Sequence, residues 1–157
     1  MVMHTFRKNE RLGNYRLNSI LFSKGKHFFQ YPFRVTYFCM PEDSSRKIFS
    51  GREIPPGVIF QYPAKCVIGV SKHHVKKATK RNHIKRMVKE AYRKNKSTLY
   101  TFLQDRHANC LLALIYVSGK ALPFREIEKK VKGVLGKLTE EINEGGLQEL
   151  PAGTNED

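Results

Sequence analysis

The sequence predicts an α+β domain or a small α/β sandwich, with helices covering one face of a short sheet, on three observations. Three apolar runs have strand length: Phe33–Met40, Lys65–Ser71 and Cys110–Val117. Two longer segments, Ala78–Lys96 and Phe124–Ile142, repeat their apolar residues at helical spacing. The strand–helix–strand order through the middle reads as a βαβ unit. A chain of 157 residues is large enough to bury a real core as one domain.

Residues 1–14 are basic and polar. Tyr15–Ser23 reads as a short helix, with Leu17, Ile20 and Leu21 clustered, Phe22 beside them and Gly25 as its stop. Pro32 introduces the strand Phe33–Met40 and Pro41 ends it. Along that strand Phe33, Val35, Tyr37 and Cys39 share one face, and Arg34, Thr36, Phe38 and Met40 share the other. Residues 41–57 carry Pro41, Gly51, Pro55, Pro56 and Gly57 and read as a loop or irregular hairpin tip; Val58–Tyr62 adds a few extended residues. In Lys65–Ser71 a glycine, Gly69, points to close approach by something else. Cys110–Val117 is continuously apolar, as in a strand buried on both faces. The last helix presents Phe124, Ile127, Val131, Val134, Leu135, Leu138 and Ile142, although Gly133 and Gly136 each weaken it by up to about 1 kcal/mol. Residues 143–157 read as an acidic disordered tail, which leaves 1–142 as a single domain with a basic N-terminal segment.

The charge is uneven. The net charge is +15, yet residues 139–157 hold six acids and no base. Ser71–Lys96 alone holds eleven of the 29 Lys and Arg residues against one acid, Glu90. On a helix, Ile84, Met87, Val88 and Ala91 form an apolar stripe. Asn82, Lys85, Arg86, Lys89, Arg93 and Lys96 fall opposite, with Arg81 at the edge. Arg81–Lys85, Lys85–Lys89 and Lys89–Arg93 are like-charge pairs one turn apart, each destabilising by a few tenths of a kcal/mol. An ordinary solvated face mixes signs, so this one is better explained by an external polyanion. Nucleic acid ranks above a membrane surface, because the segment lacks the Trp or Phe an interfacial helix would insert.

A run of about 18 apolar residues is absent, so no membrane span is expected, and the N-terminus lacks a secretory apolar core. Cys39, Cys66 and Cys110 each lie in an apolar stretch without a CxxC partner, which fits buried thiols in a reducing, cytoplasmic compartment. His73 and His74 are adjacent and point apart, a poor geometry for one metal. No catalytic residue and no protein metal site is expected. A second surface can be drawn from Phe22, Arg34, Thr36 and Phe38, with Lys65, Val67 and Gly69 of the adjacent strand: a groove whose rings stack the bases of a single strand.

Val70-Ser71-Lys72, then Lys76-Lys77-Ala78, Arg81-Asn82-His83-Ile84-Lys85-Arg86 and Glu90-Ala91-Tyr92-Arg93 together resemble the signature of the bacterial ribonuclease P protein component. Arg11-Leu12, Leu21-Phe22 and Gly25 resemble that family's N-terminal helix, and the stretch from Phe33 resembles its first strand by position. The chain departs from the pattern at His83 and Lys89, where the family carries Arg, and at Asn18, where it carries an aromatic. The resemblance implies a small two-layer αβββαβα sandwich of the ribosomal S5 domain 2-like type, with a mixed four-stranded sheet. It implies a partner, the ribonuclease P catalytic RNA, which with Mg²⁺ removes the 5′ leader of precursor tRNA, and no membrane or stable protein partner. It implies that Lys72, Lys76, Lys77, Arg81, Asn82, Lys85, Arg86, Lys89 and Arg93 contact RNA, while Phe22, Arg34, Thr36, Phe38, Lys65 and Gly69 line a leader groove. A basic ribosomal-type or RNA-chaperone protein without a nuclease partner is the other reading.

Overall fold

In the computed structural model, which describes residues 5–48 and 60–150, four strands form one sheet: β1 (Lys26–Gln30), β2 (Phe33–Pro41), β3 (Ala64–Val70) and β4 (Ala108–Tyr116). Their order is β1-β2-β4-β3, with β3 parallel to β4 and the other pairs antiparallel. The described helices are α1 (Tyr15–Lys24), α2 (Glu42–Lys47), α3 (Ala78–Asn95), α4 (Ser97–Asp105) and α5 (Phe124–Gly145). The expected αβββαβα order is present, with α2 and α4 added.

Alternation along β2 divides the interior in two. Phe33, Val35, Tyr37 and Cys39 face a large core closed by Ile84, Val88 and Ala91 of α3, Leu99 and Leu103 of α4, and the α5 stripe from Ile127 to Ile142. Phe38 and Met40 face the other way, against Leu17, Ile20 and Leu21 of α1. Helices therefore lie on both sides of the sheet and not on one face only: α1, with Ile48 at the end of α2, closes a second, smaller core, because the alternating apolar residues of β2 leave an apolar row on each face. β4 sits between two strands and is buried on both faces, as its unbroken apolar run requires.

Several local readings need correction. KHFFQ, which carries no strand pattern, is β1, so the stretch from Phe33 is the second strand and not the first. Five residues without clean alternation give no periodic signal, and their pairing with Phe33–Tyr37 supplies what propensity does not. Residues 42–47 are helical and not loop; residues 49–59, which include the rest of the expected loop and the first extended residues, lie outside the described part. The described remainder, Phe60–Tyr62, is not strand. Residues 143–145 continue α5, and Gln148 is tied to β2 beyond the end of β1: its N–H donates to Cys39 O at 2.6 Å, and its Oε1 accepts from Cys39 N at 3.2 Å. Residues 151–157 of the expected tail lie outside the described part.

Asn14 caps α1, its Oδ1 accepting from Leu17 N at 3.1 Å. Gly25 ends that helix in extended backbone and not in the left-handed form; a Cβ there would stand 2.3 Å from Leu21 O and 2.9 Å from Tyr37 O. Glycine is required because the chain turns from α1 into β1 with two carbonyls against it.

Candidate nucleic-acid interface

The βαβ crossover fixes the basic helix. β3 ends at Val70, a turn follows, and α3 packs Ile84, Val88, Ala91 and Tyr92 into the large core. Burying that stripe turns the opposite side outward. Lys72, Lys76, Lys77, Asn82, His83, Arg86 and Lys89 are exposed; Lys85 and Arg93 are half-buried.

Several cations on this segment have protein partners: Lys80 Nζ donates to Gly119 O at 3.0 Å and Lys94 Nζ lies 3.9 Å from Glu128 Oε2, and three more bear on the expected RNA face. Arg81 turns back on the chain: its Nη1 donates to Val75 O at 3.0 Å and Lys76 O at 2.7 Å, fastening the turn to the first turns of the helix. Arg93 pairs with Glu90 in a two-pronged contact, Nη2 to Oε1 at 2.5 Å and Nε to Oε2 at 3.0 Å. The hydrogen bond from Arg93 holds the Glu90 carboxyl below its ordinary range, and the same bond raises Arg93. Lys96 does not belong to the basic face. It is 1% exposed and donates to Glu10 Oε1 and Thr5 O beneath the Tyr62 and Tyr100 rings. The backbone at Lys96 is still helical; its partners Thr5 and Glu10 lie far away in the sequence, where the spacing within α3 cannot register them.

The α1 side of the sheet sorts the groove residues by row. Strand register sets Phe29, Arg34, Ile115 and Gly69 side by side across all four strands. The next row is His27, Thr36, Ala113 and Val67; the row after it, over three strands, is Phe38, Leu111 and Lys65. Arg34 is exposed and Thr36, Gly69 and Val67 are half-exposed. Phe22 on α1 is 56% exposed. Phe38 and Lys65, by contrast, are buried. Phe38 packs among Leu21, Met40, Ile48 and Leu111. Lys65 donates to Asn9 O at 2.7 Å and lies 5.3 Å from the Phe60 ring; burial lowers its pKa. These two belong to the core and do not line the expected groove. β3 is not the neighbour of β2 either, since β4 lies between them and contributes Ala113 and Ile115. A Cβ on Gly69 would meet Ile115 Cδ1 at 3.2 Å, so the close approach there is a neighbouring side chain.

Sequence reading missed two exposed aromatics, Phe29 at 58% and Tyr31 at 44%. The available signal was the Phe28-Phe29 pair running into Tyr31-Pro32. Among the described residues no three His, Cys, Asp or Glu side chains gather to hold a metal.

The sequence model of the Ribonuclease P family matches residues 6–139. The chain belongs to the ribonuclease P protein family. Ribonuclease P protein components from two strains of Porphyromonas gingivalis are each 30% identical to it over 141 residues, 90% of this chain and 91% of theirs. The Staphylococcus aureus RNase P protein superposes with a TM-score of 0.58 at 18% identity, over 82% of this chain and 94% of that one. The RNase P protein of Thermotoga maritima gives 0.56 at 21% identity, over 82% and 96%. At those identities the two structures speak for the fold. The chain is thus the protein subunit of a tRNA-processing endoribonuclease and associates with ribonuclease P RNA. The reading as a ribosomal-type or RNA-chaperone protein gives way. No described helix is long and apolar enough to cross a membrane.

Proposed function

We propose that this subunit positions and neutralises while its RNA partner, with Mg²⁺, cleaves the leader from precursor tRNA. The observation that carries the proposal is the outer side of α3: Lys72, Lys76, Lys77, Asn82, Arg86 and Lys89 stand exposed around it, and its one acid, Glu90, is taken up by Arg93. Cations in that arrangement exchange condensed counterions for phosphates, which gives strong, salt-dependent docking. Lys85 and Arg93, half-buried, border the same contact. Arg81 acts one step back, by holding the turn that carries Lys76 and Lys77.

The 5′ leader would lie on the open rows of the sheet beside α1, with Phe22 stacking a base and Arg34 and Thr36 meeting the backbone. Mg²⁺ would be bound mainly by the RNA. The protein side of the contact is cationic and repels a divalent ion unless phosphates intervene. Buried thiols at Cys39, Cys66 and Cys110 suit work in the reducing cytoplasm.

Incubating precursor tRNA with the protein, with the RNA, and with both tests the division of labour. Cleavage should need the RNA, and the protein should enhance it at low Mg²⁺. Cleavage by protein alone would reject the proposal.

A further inference from the structure

We propose that Phe29 is a nucleobase platform at the edge of the sheet, and that with Arg34 it takes one unpaired nucleotide of the leader beyond the part held by Phe22. The inference rests on the leader reading above and extends that site by a residue from a different element.

Phe29 lies on edge strand β1 with 58% of its surface exposed. Its neighbour Phe28 faces the other way, under Lys137 of α5 at 5.1 Å, so the pleat directs Phe29 to the α1 side. Phe29 and Arg34 are direct antiparallel partners, which sets their Cβ atoms about 5 Å apart on one face. A planar ring with an exposed guanidinium beside it matches a nucleotide: the ring takes the base face and the cation takes the phosphate. Ile115 and Gly69, both half-buried, continue the row across the sheet beyond Arg34.

Phe29 is also separate from Phe22. β1 leaves α1 at Gly25, and Phe29 lies four residues on, about 13 Å along the strand. Phe22 on α1 and Phe29 on the outer strand thus come from different elements, and in this proposal they serve different nucleotides. An open phenylalanine on an unpaired sheet edge is a liability for sticking to other chains, and edges are ordinarily blunted with charge. Single-stranded nucleic acid turns that liability into a contact.

The test uses the reconstituted holoenzyme and precursor tRNA whose leader carries 2-aminopurine at one position at a time, with cleavage slowed by a 2′-deoxy substitution at the scissile nucleotide. Phe29→Ala should release the fluorescence quenching at one leader position. It should weaken binding roughly tenfold for leaders that reach that position, and leave shorter leaders and mature tRNA unaffected. Phe29→Tyr should restore both signals, and Phe29→Leu, which keeps bulk without a π face, should not. If Phe29→Ala changes neither quenching nor affinity while Phe22→Ala or Arg34→Ala does, the platform is overturned and the leader groove stands. If none of the three variants alters leader dependence, the groove reading itself fails.

Discussion

Glu10→Gln probes the junction on which the N-terminal segment rests. Glu10 is fully buried and Lys96 is 1% exposed. One carboxylate oxygen of Glu10 accepts from Lys96 Nζ and from the Tyr100 hydroxyl at 2.6 Å; the other accepts from Arg7 N at 2.8 Å. Burial, followed by the Glu10 hydrogen bond, keeps the Tyr100 hydroxyl protonated well above its ordinary range. Glutamine preserves shape and removes the charge, which strands a buried ammonium. Removing one member of a buried pair costs about 3–5 kcal/mol. Thr5 O and the Tyr100 and Tyr62 rings, 5.0 and 5.9 Å from Lys96 Nζ, remain and offset about 1 kcal/mol of that. The expected loss is therefore about 2–4 kcal/mol, a large share of a domain stability of about 5–15 kcal/mol, read by urea unfolding. Glu10→Leu, Lys96→Met and Tyr100→Phe combined remove both charges and the hydroxyl that would be left unpaired, and should recover most of it. A loss below about 1 kcal/mol for the single variant would refute the buried pair. So would a fall of about one in the salt slope of RNA binding for Lys96→Met, since a buried amine cannot meet a phosphate.

Arg86→Ala should weaken binding to the RNA and lower the salt slope by about one, whereas Arg81→Ala should lower the melting temperature more than the slope, because its guanidinium is spent on Val75 and Lys76 carbonyls. Phe38→Ala should cost about 3–5 kcal/mol of stability in denaturant and leave the leader affinity of the folded protein unchanged; a selective loss of leader affinity would return Phe38 to the groove. Glu90 has a folded pKa below its unfolded value near 4.3, so its contribution to stability is present above that pH and fades as pH falls through the lowered value. Glu90→Gln should accordingly flatten the acid side of the stability profile slightly, both partners being partly exposed, and should strengthen RNA binding by removing a negative charge from the basic face. Weaker RNA binding by Glu90→Gln would show that the pair orients Arg93 for the contact.

Wherever periodicity ran long, the sequence was legible. The α3 stripe, the α5 stripe and the faces of β2 appear as spacing predicts, because helix and strand periods are properties of the backbone alone. The open cations of α3 follow from the same period: bury Ile84 and Val88 and Arg86 must face out. Short elements were legible where an apolar cluster or run marked them, as in α1 and β3, and not where the local pattern was weak. β1 exists because β2 offers it an edge, and α4 because Leu99 and Leu103 find room under β4.

The sequence by itself determined the class of the protein, its electrostatic purpose and its basic helix, since charge and periodicity are carried by local order along the chain. Tertiary structure decided which of those groups remain available. Lys96, Lys65 and Phe38 look like members of binding surfaces in one dimension, and packing from Glu10, Asn9 and Ile48 takes each of them inside. Phe29, silent in the pattern, is left in the open by its place on an outer strand. Burial is set by partners distant in sequence, and no local period encodes them.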